Sequence, residues 1–178
     1  MKTEEDIRKE AIYDVARKMM IAARTAPKGR GVDNLVISCV DEKTIATISR
    51  KMKEMVDKKG WPKSFARDAE NILAAPWMVL LGTKIKSLRL TVCGMCGFKN
   101  CDEKDTHPDI PCAFNTGDLG IAIGSAVSIA TDHRTDNRIM YTVGQVVKEL
   151  NLLGEDVKII YGIPLSVSGK NPFFDRKQ

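Results

Sequence analysis

The sequence predicts an α+β fold with helices packed against a mixed β-sheet, and three observations predict it. Stretches of helical periodicity interleave with short strand-like runs along the chain, an order that favours layers of helix on sheet. The length of 178 residues suits one domain, since a domain takes about 100 to 200 residues. Hydrophobic residues at 43% and charged residues at 29% are ordinary for a chain that packs a core, which argues against a disordered or disulfide-stapled protein.

The elements follow in order. Residues 3–24 place Ile12, Val15, Met19 and Ala23 three and four apart, on one face of an opening helix that Pro27 and Gly29 stop. Residues 35–40 form a short, β-branched apolar run that reads as a buried strand, and Cys39 within it reads as a small apolar side chain. Asp41 then caps a helix whose inward stripe is Ile45, Ile48, Met52, Met55 and Val56, closed by Lys58, Lys59 and Gly60. Ser64 is the expected cap of a short helix carrying Phe65, Ala69, Ile72 and Leu73 inward. A central strand is expected at 77–82, and residues 85–92 alternate, with Leu88, Leu90 and Val92 on one side, as a half-exposed strand would. Residues 118–132 predict a largely buried helix without strong amphipathicity. Residues 137–150 predict another, with Ile139, Val143, Val146, Val147 and Leu150 inward. A last strand is expected at 157–163, and residues 164–178 read as an extended arm.

Composition narrows the function. A net charge of +5 with only 6% aromatic residues lacks the basic patches and stacking platforms of a nucleic-acid binder. The uncharged stretches are too short for the roughly 20 apolar residues of a membrane span. The charged first ten residues do not resemble a signal peptide, so a soluble, cytoplasmic protein is expected. Two histidines without a motif around either, and no phosphate loop, give hydrolysis little support.

The chemistry concentrates in residues 93–117. Cys93, Cys96, Cys101 and Cys112 have the spacing Cys-x2-Cys-x4-Cys-x10-Cys, and in a reducing compartment such thiols are more readily metal ligands than disulfides. A cubane cluster takes three cysteines from a wrapping loop and one from elsewhere, which this spacing matches, so a [4Fe-4S] cluster is favoured over [2Fe-2S]. Four cysteines also suit tetrahedral zinc, although zinc ribbons usually supply two Cys-x2-Cys knuckles and one is present here. Lys99 and Lys104 are candidate counter-charges, and a helix opening near 115–118 could aim its positive end at the site. His107 is the other candidate ligand, and its place before Pro108 reads as a turn.

With these residues in place, positions 93–176 resemble a bacterial and archaeal family of uncharacterised proteins that carry a ferredoxin domain. The resemblance rests on Cys93-Gly-Met-Cys-Gly-Phe98, Cys112-Ala-Phe-Asn115, Asp118-Leu-Gly-Ile-Ala-Ile-Gly-Ser-Ala126, Asp136-Asn-Arg138, Tyr141-Thr-Val-Gly144, Gly162-Ile-Pro-Leu-Ser166 and Gly169-Lys-Asn-Pro-Phe-Phe-Asp-Arg176. A second resemblance, to the FMN-dependent nitroreductase fold, covers most of the chain. Ala22-Ala-Arg-Thr-Ala-Pro27 followed by Asn34 looks like that family's loop before its first strand, and Ala74-Ala-Pro76 and the strand ending at Pro164 fall in comparable order. It implies one nitroreductase-like domain over residues 1–178, with the 93–117 segment as a cysteine-rich insertion. It also implies a homodimer whose arm embraces its partner, and FMN near the dimer interface.

The arginine-serine-arginine cluster that grips the flavin phosphate in that family is absent from Ile7-Arg-Lys-Glu10. Arg24, Lys28, Arg30, Lys170 and Arg176 are the alternative phosphate donors. Three functions follow as expectations: an iron-sulfur redox protein exchanging electrons with a flavin, a partner protein or a small-molecule acceptor; a zinc-stabilised structural or ligand-binding module; and an FMN-dependent reductase.

Overall fold

The computed structural model describes residues 1–174. Helix α1 (Glu4–Thr25) starts at a capping box: the Thr3 hydroxyl accepts from the Asp6 N–H, and the Asp6 carboxylate accepts from the Thr3 N–H. It buries Ile12, Val15, Ala16, Met19 and Ala23. Strand β1 (Leu35–Asp41) leads into α2 (Glu42–Lys59), where Asp41 accepts from the Thr44 N–H at 3.0 Å and the expected stripe is buried from Ile45 to Met55. The chain continues through α3 (Lys63–Asn71), β2 (Trp77–Lys84), the short α4 (Cys101–Asp105), α5 (Ala113–Asp132), β3 (Asp136–Asn137), α6 (Tyr141–Glu149) and β4 (Val157–Ser166). Among the described residues, no helix is long and apolar enough to cross a membrane.

The sheet has the order β1-β2-β4-β3, and every pair is antiparallel. This corrects the expected mixed sheet, and the connections explain it. α2 and α3 run out and back as a pair, so β2 begins at Trp77 opposite the residue where β1 ended, Asp41. The chain likewise re-enters at Val157 beside Lys84, where β2 ended. The sheet separates two cores. Met78 and Leu80 face α2, α3 and α6, whereas the alternating Val79 and Leu81 face α1 and α5.

Several local expectations change. Residues 85–92 form no strand, because side chains satisfy their backbone: the Lys86 N–H donates to Asn115 Oδ1 at 2.8 Å, and the carbonyls of Leu88 and Arg89 accept from Arg30. β1 lies at the sheet edge, so Cys39 is half-buried rather than enclosed. α3 is capped by Pro62, not Ser64, and Leu73 points outward at 48% exposure. α6 starts at Tyr141 because Met140 is drawn into a bridge with Gly162, which leaves Ile139 exposed. The last strand runs on through Pro164, which sits between that bridge and the β3 pairing at Leu165, where the β3 side offers no ladder partner. α5 is buried on one side only: Ala122 and Ala126 enter the core, while Gly117, Gly120 and Gly124 face open space.

The end of the arm returns to its own chain. Phe173 is fully buried among α2, α3 and α6, while Phe174 is exposed with the Arg138 guanidinium over its ring. The Phe173 carbonyl accepts from Arg138 at 2.8 Å and Asn71 at 3.2 Å. Arg138 also reaches Asp68, a 2% exposed carboxylate that accepts from Arg67 at 2.7 Å and from Thr142 at 2.8 Å. Asp68 thus ties α3, α6 and the arm together. Asp68→Ala leaves two guanidinium groups and a buried hydroxyl without their acceptor and is expected to cost about 3 kcal/mol, read as a lower urea midpoint at unchanged slope.

Candidate metal centre

The segment that carries the cysteines is tethered at both ends before it reaches them. Arg30 donates to the Leu88 carbonyl at 2.9 Å, and Arg89 donates to Asp102 and Asp105, each at 2.6 Å. Ser87 also donates to Asp105, at 2.5 Å. The Ser87 hydrogen bond, helped by the Arg89 charge, holds the Asp105 carboxyl below its ordinary value. These bonds fix α4, whose first residue is Cys101, against residues 87–89. Asn100 caps α4 by accepting from the Glu103 N–H at 2.9 Å.

Between these anchors, Cys93 is exposed and Cys96 half-buried. Gly94 and Gly97 have φ of +95° and +88°, values that side chains rarely adopt, and their turn is closed by the Gly97 N–H donating to the Gly94 carbonyl at 2.9 Å. Cys112 is buried at the N-cap of α5, and its side chain makes no capping hydrogen bond. The loop before β1 packs on the same helix end: the Gly29 N–H donates to the buried Asp118 carboxylate at 3.0 and 3.2 Å. A cleft of about 510 Å³ opens beside the segment, lined by Val32, Lys86, Leu88, Arg89, Lys104 and Asp105 among others. Another, of about 430 Å³, lies at the opposite end of α5, where Lys18 and His133 approach to 3.3 Å.

All five cysteines are free thiols. Among the described residues, no three His, Cys, Asp or Glu side chains stand close enough together to hold a metal ion. Of the two candidate counter-charges, Lys104 is buried at 3% exposure with its amine 3.5 Å from Asp105, and Lys99 is exposed. His107 is exposed and packs on Phe98 at 5.0 Å.

The flavin-phosphate candidates are dispersed. Arg24 donates to Asp33 at 2.6 Å and to the Leu35 carbonyl at 3.2 Å. Burial pushes Asp33 up, but the hydrogen bonds from Arg24 and the Leu35 N–H outweigh it and hold the carboxyl below its ordinary value. Lys28 directs its amine to the carbonyls of Ala23, Arg24 and Ala26 at 2.6 to 3.3 Å, so all three donors cap the end of α1. Arg30 serves residues 88 and 89, Lys170 is exposed, and Arg176 lies outside the described residues. Sequence reasoning passed over Asn115 and Asp118 as functional groups, although both lie in stretches that carry the ferredoxin-domain resemblance; their burial depends on Lys86 and Gly29, far away in sequence.

Cys39 lies apart from the segment, on β1. Burial, with a smaller push from Asp41, raises its thiol to about 11 against backbone hydrogen bonds that lower it. A thiol raised in this way favours the folded chain below its unfolded value of 9.0, and that contribution is lost as pH climbs through about 11. At pH 8 iodoacetamide is therefore expected to label exposed Cys93 well before Cys39, as peptide mass mapping would show.

The fold is similar to those of nitroreductases and of a BluB-like flavoprotein. It matches a nitroreductase with bound FMN from Desulfitobacterium hafniense DCB-2 at TM-score 0.62 and 15% identity, over 96% of this chain and 80% of the other. A nitroreductase family protein from Clostridium novyi NT matches at 0.61 and 17%, over 86% and 73%. A BluB-like flavoprotein from Clostridium difficile 630 matches at 0.55 and 17%, over 93% and 84%. The class is thus a nitroreductase-like α+β fold. An uncharacterized protein of Archaeoglobus fulgidus is 38% identical over 180 residues, spanning 97% of this chain and 96% of its own length. Residues 109–176 match the family of uncharacterized proteins containing a ferredoxin domain (DUF2148), and the chain belongs to that family. Of the four clustered cysteines, Cys112 falls inside the matched region.

Proposed function

We propose that the protein is an iron-sulfur redox protein that binds a [4Fe-4S] cluster through Cys93, Cys96, Cys101 and Cys112, with residues 93–117 as the cluster-binding segment of a nitroreductase-like domain. The observation that carries this reading is a set of four free thiols, close together in sequence, in a chain of a ferredoxin-domain family. The donors fit a thiolate-ligated cluster in kind. Cys112 lies at the N-cap of a 20-residue helix without a capping hydrogen bond of its own side chain, which places it beside the first-turn N–H groups. Cys93 and Cys96 lie on a stretch whose turn is closed by one backbone hydrogen bond, so bringing them toward Cys101 and Cys112 disturbs little regular structure. Lys104 supplies a buried positive charge three residues from Cys101, as a site for four thiolates requires.

When bound, such a cluster supplies one-electron transfer. The chain's own part is to hold the thiolates, exclude water around Cys112 and offset their charge. A flavin, a partner protein or a small-molecule acceptor exchanges the electrons, and a homodimer is the expected assembly. The FMN in the Desulfitobacterium relative supports a flavin; the commitment of Lys28 and Arg24 to internal partners argues against those two as its phosphate donors. A purified protein that neither contains nor takes up FMN would rule the flavin out and leave the other acceptors.

Anaerobic reconstitution with ferrous iron and sulfide tests the cluster. About four iron and about four sulfide per chain are expected. Uptake of one zinc in preference to iron, without colour, would instead favour the structural zinc module.

A further inference from the structure

Asn115 is 1% exposed, and its side chain is only half satisfied. Its Oδ1 accepts from the Lys86 N–H at 2.8 Å, which fixes the plane of the amide and the identity of its two ends. Its Nδ2 is buried and has no hydrogen-bond partner among the described residues. An unpaired buried amide donor is costly, and native chains rarely keep one without a role. Asn115 stands three residues after Cys112, one turn along α5, and residues at that spacing are neighbours on a helix. The other helix-start cysteine has a counterpart, since buried Lys104 follows Cys101 at the same spacing. The Asp105 carboxylate beside that amine already accepts from Ser87 and Arg89. Each cysteine at a helix start is therefore followed three residues on by a buried nitrogen donor; Lys104 is paired with Asp105, whereas Asn115 Nδ2 finds no partner among the described residues.

We infer that Asn115 is a positioning residue for the cluster, its Nδ2 donating a hydrogen bond to an inorganic sulfide and so raising the reduction potential. The assignment rests on the iron-sulfur reading above. A donor aimed at sulfur stabilises the more negative, reduced state, and hydrogen bonds to the sulfurs are among the determinants of cluster potential. The bond to Lys86 makes the effect separable, because it anchors Asn115 through the oxygen and leaves the nitrogen for the centre.

Asn115→Asp keeps the acceptor for the Lys86 N–H, removes the donor and adds negative charge. Asn115→Leu removes donor and acceptor without adding charge. Both are loaded anaerobically, checked for iron and sulfide, and titrated for midpoint potential beside the unsubstituted protein. The expected result is a more negative potential in both, larger in Asn115→Asp, at unchanged iron content. An unchanged potential in either loaded variant would overturn the inference, as would variants that fold by circular dichroism but hold no iron, since Asn115 would then serve assembly rather than tuning. Failure of the unsubstituted protein to take up iron and sulfide would defeat the cluster reading itself, a separate result seen in the first measurement.

Discussion

Cys112→Ser is expected to remove most of the bound iron and its visible absorbance while leaving the apoprotein at least as stable as before. The two effects separate because Cys112 occupies two roles. As a thiol it is the buried, helix-end member of the four-cysteine set, and a serine hydroxyl is a poor replacement for a thiolate ligand. As the N-cap of α5 it makes no side-chain hydrogen bond, whereas serine at that position accepts from the first-turn N–H groups and adds about 1 kcal/mol. Loss of iron with an unchanged or higher thermal midpoint therefore identifies a ligand. Cys39→Ser is the control: it lies in β1, outside the segment, and iron content should not change. Retention of native iron by Cys112→Ser would remove Cys112 from the ligand set.

The second large effect is expected at Gly144. α6 approaches β4 so closely that a Cβ at Gly144 would lie 1.7 Å from the Ile160 carbonyl oxygen and 2.4 Å from its carbon. These are backbone atoms, so neither a rotamer change nor a small side-chain shift relieves the clash. Alanine in place of glycine would gain about 1 kcal/mol in helix propensity, but prising α6 from the strand costs about 3 kcal/mol or more. The clash wins, and Gly144→Ala is expected to lower the urea midpoint strongly. Gly124→Ala is the matched control, because a Cβ there meets nothing within 4 Å and the propensity gain should stand alone. Equal stability of the two variants would contradict the packing described for α6.

The contrast between the helices shows what was legible in the sequence. α1 and α2 each present one apolar face to a core and a charged face to water, so their periodicity named the buried residues almost one for one. α5 hid its two sides because the exposed one is built of glycine, serine and Ile121 rather than charge. Residues 85–92 misled for a different reason. Their alternation is that of a strand, but Asn115 and Arg30 capture the backbone groups that a ladder would need, and Arg89 takes a φ of +52°. The antiparallel sheet was hidden in the direction of the connections, which local pattern does not encode. At the site, the spacing of the cysteines and the glycines beside them were readable, since both are local. The burial of Lys104 and the half-satisfied amide of Asn115 were not, because each depends on segments that only the fold brings together. The motif stretches around Gly144 and Gly162 acquire a packing reason: Gly144 meets the backbone of β4, and a Cβ at Gly162 would lie 2.4 Å from Val143.

The central claim, that the four thiols of residues 93–112 hold a redox-active iron-sulfur centre, is tested most directly by iron, zinc and sulfide analysis of protein purified without oxygen, with the visible spectrum recorded before and after dithionite. The account predicts iron with matching sulfide and a broad visible absorbance that bleaches on reduction. Stoichiometric zinc without sulfide or a reducible chromophore would contradict it and make the cysteine segment a structural clasp.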